Sequence, residues 1–143
     1  MKPIFKITLV IAFFVVLSGI IIGLTMFNKK HPDTSKVKPD FVITATALQK
    51  EFEDNEASAS TRYINKILEV TGLISSITPA ENNHLNISLK TGSDISSVIC
   101  TFANMSDPSK FKTGEEIALR GECSGFLMDV LLKNCSIIKN RKK

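Results

Sequence analysis

Residues 66–77 read KILEVTGLISSI, and they are followed by LNISLK at 85–90 and SVICTF at 97–102. These three stretches decide the fold. Each alternates apolar with polar side chains, the period of a strand that buries one face. In the second, Leu85, Ile87 and Leu89 point inward while Asn86, Ser88 and Lys90 point outward. In the third, Val98, Cys100 and Phe102 point inward, which leaves Ser97, Ile99 and Thr101 outside. Turn-forming residues at Pro79–Asn83 and Thr91–Asp94 separate the strands. Gly72 interrupts the first strand, where a glycine signals a bulge or sharp bend.

Two more strands follow, EIALRGEC at 116–123 and DVLLKNCSII at 129–138, with a turn around Ser124-Gly125. Between the third and fourth strands, Ser106-Asp107-Pro108 reads as the start of a short helical turn, with Ser106 as its cap. Three strands, a connector and two strands is the element order of an OB-fold. That fold is a five-stranded, partly open Greek-key barrel, and Gly72 sits where its long first strand must bend. An SH3-like barrel lacks the long spacer between the third and fourth strands. The expected class is therefore mainly β: a five-stranded OB-fold barrel preceded by a short helical segment, with an N-terminal transmembrane helix.

The helical segment lies at 43–66, ITATALQKEFEDNEASASTRYINK. Thr44 is a plausible N-cap, and Ala45, Leu48 and Phe52 recur on one helix face. Asn55 ends that helix or caps a second short turn running through Ala59 toward Tyr63. The stripe reads as a helix packed on the domain, with a partner-binding helix as the alternative.

Ile7 to Phe27 is a run of residues without a charge, long enough as a helix to cross a bilayer's hydrocarbon core. A cleaved signal peptide has a shorter apolar stretch and an A-x-A-like site, which is missing here. The expected organisation is an anchor at 1–28, a linker at 29–40, the helical segment plus barrel at 41–138, and a basic tail at 139–143. The linker, with two prolines in HPDTSKVKPD, shows no apolar periodicity. Orientation cues conflict. A positive-inside count over Lys29, Lys30, Lys36 and Lys38 puts the C-terminal domain in the cytoplasm. A very short basic N-terminus is how an exported signal-anchor protein begins. The expectation adopted is a single-pass inner-membrane protein with its domain outside the cytoplasm.

The net charge of +4 conceals a partition. Residues 1–40 carry six lysines against two aspartates, and 139–143 add four positive charges. Residues 41–138 carry eight basic side chains against twelve acidic ones, so the folded part is negative. Polyanion binding needs a basic patch that neutralises phosphates. Lys110, Lys112 and Arg120 are too few to make a convincing one. The tail KNRKK reads as a solubilising tail, or as a contact for phosphate or anionic lipid.

The run NEASASTRYINKILEVTG resembles the tRNA-anticodon-like OB-fold (tRNA_anti-like) family of bacterial proteins. The shared pattern is N-E-x-x-A-x-x-x-Y-x-x-K-x-x-x-V-x-G, matched by Asn55, Glu56, Ala59, Tyr63, Lys66, Val70 and Gly72. Cys100 and Phe102 resemble a C-x-F on the third strand. Gly121, Cys123 and Gly125 resemble G-x-C-x-G, and Asp129, Val130, Leu132 and Cys135 a D-V-x-L-x-x-C ending. The resemblance covers residues 44–138 and marks Gly72, Gly121, Tyr63 and Cys123 as structural positions. It implies an OB-fold with an N-terminal signal or anchor, and carries over no activity or catalytic residue. Nucleic-acid binding is implied only by fold analogy.

Enzyme chemistry finds no support. His31 falls in the linker and His84 in a turn, each without a partner, and no nucleophile motif or phosphate-cradling loop is present. The acidic run Glu51, Glu53, Asp54 and Glu56 lacks the oxygen spacing and central glycine of a calcium loop. No catalytic residue, cofactor or metal is expected. OB-folds that bind single strands use basic grooves and aromatic platforms on the second and third strands. Here that face offers Asn86, Ser88, Lys90 and Thr101 as ligand-contact candidates, with no aromatic. The three cysteines lie in expected strands. A turn near Gly125 places Cys123 and Cys135 about six positions out of register. The third and fifth strands of an OB barrel are neighbours, so Cys100 with Cys135 is the expected pair in an oxidising compartment. The expected function is a membrane-tethered, non-catalytic OB-fold binding module for an envelope ligand (protein, glycan or similar). The alternative is a nucleic-acid-binding OB-fold at the cytoplasmic face of the membrane.

Overall fold

The structure is a computed structural model and describes residues 3–27, 33–105 and 107–141. It divides into two compact units, Met1–His31 and Pro32–Lys143. Within the first, helix α1 (Pro3–Phe27) is apolar on every side. Its segment Lys6–Met26 is long and apolar enough to cross a membrane. Ser18 and Thr25 donate their hydroxyls to the carbonyls of Val15 and Ile22, both at 2.9 Å, so neither leaves a polar group unsatisfied.

The second unit is a barrel. Its strands are β2 (Ile67–Ala80), β3 (His84–Lys90), β4 (Ser97–Phe102), β5 (Glu116–Leu127) and β6 (Asp129–Arg141). Neighbours run in the order β2-β3-β4-β6-β5, and β5 closes back onto β2. All contacts are antiparallel except the parallel pair β4–β6. The alternation read from the sequence holds in β3 and β4: Leu85, Ile87, Leu89, Val98, Cys100 and Phe102 fill the interior. The expected class, a five-stranded OB-type barrel behind a helical segment, is the observed one.

Two helices plug one end of this barrel. Thr44 accepts a hydrogen bond from the Ala47 amide and caps α2 (Ala45–Asp54), which buries Ala45, Leu48, Gln49 and Phe52. Asn55 both ends α2 and caps α3 (Glu56–Tyr63) by accepting from the Ser58 amide. The core contains only residues from Ala45 onward, with Phe41 and Ile43 packed beside it. The unit after the apolar helix therefore encloses a core of its own and can fold without that helix.

Several expectations need correction. A sixth strand, β1 (Phe41–Thr44), pairs in parallel with Leu68–Thr71 on the outside of β2. Four residues overlapping a helix cap are too short for a periodicity to show. The irregularity in β2 falls between Ile74 and Ser76, not at Gly72. Gly72 instead provides room: a Cβ there would stand 3.0 Å from Ala45 Cβ and 3.3 Å from Leu89 Cβ. The fourth strand runs on to Leu127, and the hairpin turns at Met128 rather than at Ser124-Gly125. Cys123 then faces Leu132, three positions from Cys135 and not six. The fifth strand reaches Arg141, so most of the expected tail is strand. Ser106, the expected cap, lies outside the described residues. Asp107 caps the 3-10 turn Pro108–Lys110 by accepting from the Ser109 amide.

The expected linker is docked where it is described. Thr34 is buried and donates to the Asn134 carbonyl at 2.7 Å. Arg120 donates through Nη1 to the carbonyls of Ser35 and Val37, both at 3.0 Å, and through Nε to Glu69 at 2.8 Å. Asp40 exchanges backbone and side-chain hydrogen bonds with Ile67. Hydrogen bonds hold this segment, and they leave no trace in apolar periodicity.

Gly121 admits the Cys135 thiol into the barrel. A Cβ on Gly121 would lie 2.6 Å from Cys135 Sγ and 3.2 Å from Leu132 Cβ. Gly121→Ala is expected to cost about 1–3 kcal/mol by overpacking. Combining it with Cys135→Ala should destabilise by less than the two single losses added. Urea unfolding of the four proteins of the cycle measures this, and strictly additive losses would contradict the contact.

Candidate functional site

The outer face of β3 and β4 is where the sequence placed its ligand contacts. Antiparallel pairing sets Asn86 opposite Thr101, Ser88 opposite Ile99 and Lys90 opposite Ser97. Thr101 donates to Asn86 Oδ1 at 2.9 Å, and the Ser88 carbonyl accepts from Ser75 at 3.0 Å. The four candidates share one face, on which the Asn86 and Thr101 side chains are engaged with each other. Lys90 is the exposed member at the bottom of the strand.

At that end of the barrel three pieces converge: α2, the 91–96 loop and the tip of the β5–β6 hairpin. Phe126 stacks on Phe52 with ring centroids 5.1 Å apart. Phe52 lies 6.0 Å from Tyr63, which meets Phe41 edge-on at 5.1 Å. The buried amide of Gln49 ties the pieces together by donating to the Met128 carbonyl at 2.8 Å and to Glu53 Oε1 at 2.9 Å. Ser96 donates to the same Glu53 oxygen at 3.0 Å. Gln49 Oε1 is buried without a hydrogen-bond partner.

Around this junction an open cleft of about 640 Å³ is lined by Glu53, Glu56, Ile95, Ser96, Phe126, Leu127 and Met128. A second cleft of about 530 Å³ shares Ile95 and Ser96 and extends past Lys90, Asp94 and Asp129 to Ser75. Asp129 is engaged there, accepting from the Ser97 amide at 2.7 Å and hydroxyl at 2.9 Å. The first cleft can receive large apolar groups beside a positive charge, and the second is polar. Among the described residues no group of three His, Cys, Asp or Glu side chains is placed to hold a metal ion.

A family model described as tRNA_anti-like matches residues 1–137. The chain belongs to the tRNA_anti-like family. No curated protein matches it. Among solved structures, this tRNA_anti-like chain is similar to a candidate nucleic acid-binding lipoprotein from Klebsiella pneumoniae subsp. pneumoniae. The TM-score is 0.55 at 19% identity, over 68% of this chain and 91% of that one. It is also similar to the S. pombe Stn1-Ten1 complex, with a TM-score of 0.42 and 17% identity over 54% of this chain and 59% of that one. The first likeness supports the OB-type fold and extends to nothing finer.

The tRNA_anti-like signature residues have visible structural work. Asn55 caps α3, Ala59 and Tyr63 are buried, and Gly72 and Gly121 make room for their neighbours. All three cysteines are buried free thiols. Burial pushes the Cys100 thiol well above its ordinary value, and a hydrogen bond with Cys135 adds to this. Burial also raises Cys123, to about 11. Burial therefore disfavours the thiolate form of Cys100 and of Cys123. Gln49, Ile95, Leu127 and Met128 were missed by the sequence reading. The available signal was Phe126-Leu127-Met128 directly before a strand, where a tight turn favours Gly or Asn.

Tyr63 donates to Glu51 Oε2 at 2.6 Å. Burial, then the Glu51 hydrogen bond and charge, raise its pKa from 10.0 to about 12. The folded state thus holds the phenol proton more tightly than the unfolded chain does. That contribution to stability is complete below pH 10 and is lost as the pH rises toward 12. Tyr63 is the single tyrosine, so ultraviolet titration of phenolate reads it alone. The expected midpoint lies near 12, and Glu51→Gln should lower it. A midpoint near 10 in the folded protein would contradict the buried hydrogen bond.

Proposed function

We propose that this tRNA_anti-like chain is a membrane-tethered, non-catalytic binding module that takes a protein ligand at the cell envelope. The observation that carries this reading is the open cleft at the helix-plugged end, where Ile95, Leu127 and Met128 stand in solvent. Clustered exposed apolar side chains on a small domain are characteristic of an interaction site. The negative charge of residues 41–138 opposes a polyanion, and the β3–β4 face has no stacking platform. The apolar helix supplies the tether, a single span of the inner membrane with the barrel outside the cytoplasm.

Fluorescence anisotropy with single-stranded DNA and RNA oligonucleotides at low salt tests the ligand class. The expected result is no binding. Tight, salt-dependent binding would replace this reading with a nucleic-acid one. Protease added to intact spheroplasts should digest the barrel, and protection until lysis would place it in the cytoplasm.

An exported barrel also makes Cys100 and Cys135 the pair that oxidises to a disulfide by exchange with an envelope thiol oxidant. Their strands are adjacent and parallel, and the two thiols are hydrogen-bonded to each other. Alkylation in denaturant without reductant, read by intact mass, should modify one thiol, Cys123. Three modified thiols would show that no disulfide forms.

A further inference from the structure

We propose that the cleft between α2 and the tip of the β5–β6 hairpin docks a partner-protein segment bearing lysine or arginine beside large apolar side chains. This rests on the binding-module reading and names the chemistry of its ligand. Three observations converge on it.

The first is the apolar surface. Ile95 is 79% exposed, Leu127 78% and Met128 64%, on two loop tips that face the same cleft. Phe126 floors the cleft and is locked by its stack on Phe52, so the surface is held by the core.

The second is the backbone at Met128. Among the described residues, six other than glycine have positive φ. Five are asparagines (Asn65, Asn82, Asn83, Asn104 and Asn134), the residue type that tolerates this conformation best. The sixth is Met128, at φ 66°. A hairpin tip made with Asn or Gly would be less strained, so methionine at this position costs the fold some stability. Its flexible, polarisable thioether suits it to packing on apolar surfaces of varied shape.

The third is charge. Glu53 and Glu56 line the cleft, Asp54 lies between them in sequence, and among the described residues no Lys or Arg lines it. Among the described residues none of these carboxylates forms an ion pair. Arg62, the cation of α3, is turned away onto Glu51 and the Phe41 ring. A segment carrying Lys or Arg supplies the missing counter-charge while its apolar residues cover Ile95, Leu127 and Met128. The same carboxylates repel an anionic lipid surface or a phosphate backbone.

The test uses residues 32–143, which enclose their own core, and two synthetic probes: an amphipathic lysine–leucine peptide and its glutamate–leucine counterpart. The lysine peptide should bind, with amide NMR shifts centred on Glu53, Ile95, Leu127 and Met128, and the glutamate peptide should not. Met128→Asn should raise the melting temperature and weaken the lysine peptide by about tenfold. Glu56→Lys should weaken it similarly, whereas Glu81→Lys, at the far end of β3, should leave it unchanged. Equal binding of both peptides, shifts elsewhere on the barrel, or unchanged affinity in Met128→Asn would each overturn the assignment. Concentration-dependent shifts at the cleft without peptide would overturn it in favour of a second copy of this chain. If the lysine peptide fails while oligonucleotides also fail to bind, only the peptide assignment falls. Oligonucleotide binding removes the binding-module reading itself.

Discussion

One strand carries two sheets. β2 pairs with β5 through Leu73 and with β3 from Ile74 onward, and this change of partner closes the barrel. Beside its first half β2 also accepts β1, so at Glu69 and Val70 it has strand neighbours on both sides. Gly72 stands at the changeover, where Ala45 Cβ presses to within 3.0 Å of the space a side chain would occupy. The seat of α2 depends on that vacancy. Even a methyl group there would require Ala45 and Leu89 to give by a few tenths of an ångström. Barrel closure and cleft geometry are therefore two results of one constraint on one strand.

The barrel was legible because period-two burial is imposed on every residue of a closed sheet. Leu85, Ile87 and Leu89 alternate with Asn86, Ser88 and Lys90 because the pleat leaves no other choice. Cap chemistry was legible for a similar reason: Thr44 and Asn55 each satisfy an amide that has no other partner. β1 escaped notice because four residues cannot establish a period and edge exposure leaves Val42 in solvent. The docked segment around Thr34 escaped because its contacts are to backbone carbonyls, which any sequence presents. Gly72 was read as a bend because a missing side chain looks the same whether it frees the backbone or admits a neighbour.

The site was less legible than the fold. The sequence directed attention to the second and third strands, where OB-folds hold nucleic acid, and those residues do share a face. Two of them, Thr101 and Asn86, are hydrogen-bonded to each other. The cleft is assembled from residues far apart in sequence, Gln49 and Glu53 with Ser96 and Met128. Convergence of that kind comes from the barrel's order of strands, which brings the 91–96 loop and the β5–β6 tip to one end. Charge was different, because its partition along the chain could be counted before any coordinates existed.

The way the chain enters the barrel has a mechanical consequence. Strand β1 runs parallel to β2, so a pull on its N-terminal end is directed along its length. A load in that direction strains the rungs between Phe41 and Thr44 together, as in a lap joint, and does not peel them apart in turn. Upstream, Thr34 and the Arg120 guanidinium grip the same segment and take up force before the sheet does. Under the proposed tether, tension on the domain enters through this end and loads the β1–β2 rungs in shear.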